Sequence, residues 1–141
     1  MSTTDVIHQS QVEKPGHAVS RRYYEPIIFL AERMASMDKI TPMPEQRMVD
    51  ELAKAVGLED VRRQRWFRDL NDNKACERID LDTVKRCILV VLSLVMKADT
   101  QRGEDAKKYF SKIRELLGAD PITVPVEIEE HKELALKYLK N

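Results

Sequence analysis

The 141-residue chain holds only 4 Gly and 6 Pro. A many-stranded β protein needs more turn formers than that, so the scarcity favours long helices. Only two cysteines occur, Cys76 and Cys87, eleven residues apart and outside any CxxC. A zinc ribbon and a thioredoxin-type redox pair are thereby excluded, and the two read as reduced thiols. Charge of one sign is lacking too, with 24 Lys plus Arg against 24 Asp plus Glu. That balance gives no global pull toward nucleic acid or an anionic membrane, and no nucleic acid is expected as a partner. The most apolar stretch, Cys87 to Met96, is about half the ~20 residues that cross a bilayer, so it reads as a buried helix. No signal-peptide pattern opens the chain, and a cytoplasmic location is the default expectation. What is present is 43% apolar and 34% charged residues, the balance of a folded single domain with a core.

Residues 1–20 are polar, with isolated Val6, Ile7, Val12 and Val19 and a Pro15-Gly16 break. They are expected to form a flexible tail. His8 and His17 could bind metal only if a rigid backbone held them, so a solvated tail is the plainer reading. The folded domain is expected over 21–141. Ile27, Leu30, Ala31, Met34 and Ala35 mark the buried face of a first helix, with Pro26 in its first turn. Met48, Val49, Leu52, Ala55 and Val56 mark a second, which Gly57 ends. A third buries Val61, Phe67 and Leu70, and Asn71-Asp72-Asn73 then reads as a turn. Asp80 is placed as the cap of a fourth helix through Ile88, Leu89, Leu92, Val95 and Met96. This helix is apolar on nearly every side and so central. A fifth presents Tyr109, Phe110, Ile113, Leu116 and Leu117 up to Gly118, and a last one buries Ile128, Ala135, Tyr138 and Leu139. The expected class is an all-α compact bundle of six or seven helices.

The two halves align without a gap at an offset of 61. Ile27 falls on Ile88, Leu30 on Val91, Met34 on Val95, Asp38 on Asp99, Met48 on Tyr109, Val49 on Phe110, Leu52 on Ile113, Val56 on Leu117 and Gly57 on Gly118. Each half is an apolar helix ending at an acidic residue, a short polar loop, an amphipathic helix and a stopping glycine. Two units are too few for a solenoid, so the halves are expected to pack face to face about a pseudo-two-fold axis.

The segments MASMDKITPMPEQRMVDELAKAVGL and LVMKADTQRGEDAKKYFSKIRELLG resemble the two halves of a tellurite-resistance TerB-like domain. That family's pattern is a hydrophobic helix ending in Ala-Asp-Gly, a short loop, a Glu near the next helix start, and a stripe ending at Leu-Gly. The resemblance spans about Tyr23 to Asn141. The sequence departs from it in three respects. Lys39 and Thr100 replace the Gly after each Asp, Met37 replaces the first Ala, and Glu104 follows Asp99 by five residues where Glu45 follows Asp38 by seven. The resemblance implies a role in tellurite or stress response, as an adaptor near a protein partner that is itself membrane-associated. It also implies metal binding at the acidic loops.

Three constellations could carry chemistry. Asp38 with Glu45, and Asp99 with Glu104 and Asp105, place carboxylates beside helix starts. They either cap free N–H groups or form a hard-cation site for Ca²⁺ or Mg²⁺; no EF-hand run is present. Arg62, Arg63, Arg65 and Arg68 interleave with Trp66 and Phe67. They form either a solvated helix face or a patch for a protein or lipid headgroup, stacking on bases being the weaker use. For catalysis, the chain lacks G-x-S-x-G, H-E-x-x-H, a P-loop, G-x-G-x-x-G and the HPD of a J-domain. His131, the single histidine on an expected helix, reads as a packing or surface residue. The reading is therefore a non-enzymatic binding domain, either holding a divalent cation or acting as a metal-independent interaction module through the Arg62–Arg68 helix or an apolar groove.

Overall fold

A computed structural model describes residues 19–37, 43–58, 70–98 and 104–140. Among them are six α-helices and no strand. The helices are α1 (Tyr24–Ala35), α2 (Met43–Ala55), α3 (Asp72–Glu77), α4 (Asp82–Ala98), α5 (Glu104–Leu117) and α6 (Ile128–Lys140), with a 3₁₀ turn at Arg21–Tyr23 ahead of α1. The all-α expectation holds. No helix among the described residues is long and apolar enough to cross a membrane.

α4 lies at the centre. Cys87, Ile88, Leu89, Val90, Val91, Leu92, Leu94 and Val95 are all buried, which needs partners on several sides. α1, α2, α5 and α6 supply them by packing directly on α4. α2 and α5 each also rest on α1, and the short α3 bridges α1 to α5. α6 runs antiparallel to α4. His131 meets Val90, whereas Lys97, two turns further along α4, reaches back to Pro125 and Val126.

α2 and α5 end alike. The Gly57 N–H donates to the Lys54 carbonyl and the Leu58 N–H to that of Ala53; the Gly118 N–H donates to Glu115 and the Ala119 N–H to Arg114. Both glycines have positive φ, 78° and 64°. This is the Schellman closure, which needs a left-handed residue after the last turn. Nothing lies within 4 Å of a Cβ built on either glycine, so dihedral preference rather than crowding selects them.

Five local expectations change. Asn71-Asp72-Asn73 is not an isolated turn. The Asn71 side chain accepts the Lys74 N–H at 2.8 Å and caps α3. Asp80 does not cap α4, which starts at Asp82, because its carboxylate is engaged by the Tyr23 hydroxyl at 3.1 Å. Leu116 is 41% exposed and Phe110 only half-buried, since the packed face of α5 follows Ala106, Tyr109, Ile113 and Leu117. In α6 the buried set is His131, Leu134, Ala135, Tyr138 and Leu139, with Ile128 at the margin. Val19, at the edge of the expected tail, is buried, and its N–H donates to the Tyr138 carbonyl at 2.9 Å.

Candidate functional site

The expected acidic loop ends differ in environment where they are described. Glu45, in the first turn of α2, is 1% exposed. Glu104 and Asp105, in the first turn of α5, face solvent, and Glu104 stands 3.9 Å from Lys107. The position of α5 that matches Glu45 is the buried Ala106, so the register that pairs the helices does not pair their carboxylates. Asp38 and Asp99 lie outside the described residues, as do Arg62, Arg63, Arg65, Arg68, His8 and His17. Among the described residues no three His, Cys, Asp or Glu side chains gather in a metal-binding arrangement.

A cluster the sequence did not announce centres on Asp72, 6% exposed at the start of α3. Its Oδ1 accepts the Tyr109 hydroxyl at 2.8 Å and Arg33 Nε at 3.4 Å, and its Oδ2 accepts Lys112 Nζ at 3.0 Å. Three elements, α1, α3 and α5, are thus tied through one carboxylate. Burial alone would raise the Asp72 pKa. The bonds from Tyr109, Lys112 and Arg33 outweigh it and hold the group below its ordinary value. Burial and the Asp72 bond push the Tyr109 phenol well up. Cys76, buried one turn after Asp72, is pushed up to about 11 by burial and then by the Asp72 charge. The partners of Asp72 lie 37 to 40 residues away, beyond any helical or turn spacing. The one local signal was Asn71, a preferred capping residue ahead of an acidic first turn.

His131 is fully buried between α4 and α6. Its Nε2 stands 3.0 Å from the Val90 carbonyl, which can only accept, so Nε2 carries the hydrogen. Nδ1 is then a buried acceptor with no hydrogen-bond partner among the described residues. Burial, followed by the charge of Lys97, pushes the ring down to about 4 against the opposing pull of Val90. Both cysteines are free and buried, and burial also raises Cys87 strongly.

On the outer surface, Asp82, Lys85, Arg86, Gly118, Ala119 and Asp120 line a hollow of about 60 Å³. Pockets for drug-sized molecules run to roughly 300–1,000 Å³, so this hollow suits a protruding side chain rather than a whole small-molecule substrate. Leu81 and Leu116, 51% and 41% exposed, precede its two walls in sequence.

The buried Asp72 and His131 therefore tie helices together, and Glu45, Glu104 and Asp105 are found at helix starts. No family model, curated protein or solved structure matches the chain.

Proposed function

We propose that this chain is a non-enzymatic binding domain of the TerB-like type, in which the segments ahead of α2 and α5 together engage a divalent cation, Ca²⁺ or Mg²⁺. One observation carries the reading. α2 and α5 pack on the same central helix and close with the same hydrogen bonds at glycines sixty-one positions apart. In the sequence, Asp38 and Asp99 each precede one of these glycines by nineteen residues. Glu45 offers a carboxylate already withdrawn from water, and Glu104 and Asp105 offer hydrated ones. Hard cations favour such all-oxygen sets. The pseudo-two-fold arrangement of the halves, and the tellurite or stress-response setting, belong to the same proposal and rest on the sequence resemblance.

Calorimetric titration with Ca²⁺, Mg²⁺ and Zn²⁺ tests it. The expected result is a saturable heat with Ca²⁺ or Mg²⁺ that disappears in the Asp38→Ala, Asp99→Ala double variant. No heat from the parent chain, or an unchanged heat from the variant, refutes it.

The exposed Leu81 and Leu116, close in sequence to residues lining the small hollow, favour a second reading, a metal-independent interaction module. It would also use the Arg62–Arg68 segment. Its mark is a protein partner whose binding ignores chelator and is lost on Arg62→Glu with Arg65→Glu.

A further inference from the structure

α4 holds the front half of α6 at two points. The Val90 carbonyl accepts His131 Nε2–H, and Lys97 Nζ donates to the carbonyls of Pro125 and Val126 in the strap that leads into α6. Val90 and Lys97 are seven residues apart and so lie on one face of α4. The same face extends to Cys87, whose thiol is close enough to Tyr138 of α6 to raise its pKa. α6 thus covers a stripe of Cys87, Val90 and Leu94, all buried. Within this interface His131 is a fully buried imidazole, and its Nδ1 has no hydrogen-bond partner among the described residues.

That nitrogen is tolerated only while it is an acceptor. A proton from solvent would turn Nδ1 into an unmatched buried donor on a cation, against which the Lys97 charge also acts. Burying a charge without a partner is costly, so the closed interface keeps the ring neutral and proton uptake favours the open one. We propose that His131 is an acid-sensitive latch, whose protonation releases α6 from α4 and uncovers the apolar stripe around Cys87.

The other charged groups on elements packed against α6 leave His131 as the specific trigger. From α4, Arg86 acts at the far end, on Tyr138. From α2, Glu51 is paired with Lys132, and Glu45 is a buried carboxylate. From α1, Tyr24 donates its hydroxyl to the Leu139 carbonyl at 2.7 Å. At the start of α6, Glu127 is joined to His131 through its backbone carbonyl. Substituting His131 leaves all of these in place, which separates its contribution from theirs.

The sign follows from linkage. A ring whose pKa is lower when latched than when released makes the released state the better proton binder. The latch is then intact above about 6.5 and weakens as pH falls toward about 4.

The readout is Cys87 in a Cys76→Ser background, labelled with 4,4′-dithiodipyridine, which reacts with thiols in acid. Rates are divided by those of N-acetylcysteine at each pH. We expect the relative rate to rise on the order of 100-fold from pH 7 to pH 4, about tenfold for each unit of proton linkage. Far-UV circular dichroism should keep the helical signal over that range. His131→Gln, which can still donate to Val90, and His131→Phe should both lose the rise. The imidazole titration followed by NMR needs no substitution, and its midpoint should coincide with that of the Cys87 rise. A flat parent profile, the same rise in either variant, a rise only in step with lost helicity, or separated midpoints would each overturn the latch.

Discussion

Gly57 and Gly118, sixty-one positions apart, end α2 and α5 with the same two hydrogen bonds and nearly the same left-handed backbone. Space is open at both, so the penalty for a side chain comes from dihedral strain alone. Gly57→Ala and Gly118→Ala should each destabilise the fold by about 1 kcal/mol, the cost of a left-handed L-residue. Asn, which tolerates that region, should cost less. Urea melts should show lower midpoints with unchanged slopes. A stabilised Ala variant at either position would contradict the closure.

Much of this architecture was readable because its signals are local. The stripe from Ile27 to Ala35 marked α1, the all-round apolar run from Cys87 to Met96 marked the central α4, and the stopping glycines marked two helix ends. What escaped depends on distant partners. Asp72 looked like a turn residue because Arg33, Tyr109 and Lys112 meet it only after the chain has folded. Asp80 suited a cap by type, but Tyr23 claims its carboxylate from across the fold. Leu116 fitted the period of α5 yet points off the face that α4 covers. Of the expected site residues, Glu45, Glu104 and Asp105 are located, at two helix starts of unequal burial.

The cysteines offer a check on the packing. Burial holds both thiols protonated, Cys76 with a pKa of about 11 and Cys87 higher. At pH 8 a thiol shifted upward by two units has about 100-fold less thiolate than an ordinary one, and the thiolate is the nucleophile. Reaction with Ellman's reagent under native conditions should be slowed at least that much, with Cys76 leading. Rapid labelling of both would place them nearer the surface than the fold has them.

Lys97 should influence both the strap and the imidazole. Lys97→Met keeps an unbranched apolar stem but removes the bonds to Pro125 and Val126. The loss should cost about 1–2 kcal/mol, the range for charge-assisted bonds at a partly exposed site. Because the Lys97 charge helps to depress His131, its removal should also raise the imidazole midpoint above about 4 in an NMR titration. A midpoint that stays put or falls would mean the two groups do not sense each other.

The Asp72 cluster should set the stability of the α1–α3–α5 corner in a pH-dependent way. Tyr109→Phe removes one donor and leaves the carboxylate with Lys112 and Arg33, so it should cost about 1 kcal/mol. Asp72→Ala strands the buried Tyr109 hydroxyl as well as removing the carboxylate. Lys112 and Arg33 are half exposed and can return to water, which limits the loss to about 2–3 kcal/mol. Asp72 is depressed in the fold, so its stabilisation is complete above its usual value of 3.8 and is lost as pH falls through the lower folded value. Urea melts at pH 7 and pH 2.5 should therefore separate Asp72→Ala from the parent more widely at the higher pH. An equal gap at both would mean that Asp72 contributes shape rather than charge. A smaller cost for Asp72→Asn than for Asp72→Ala at pH 7 should accompany the pH effect, because an amide oxygen still accepts the Tyr109 hydroxyl while its NH₂ group faces Lys112 or Arg33 without an ion pair.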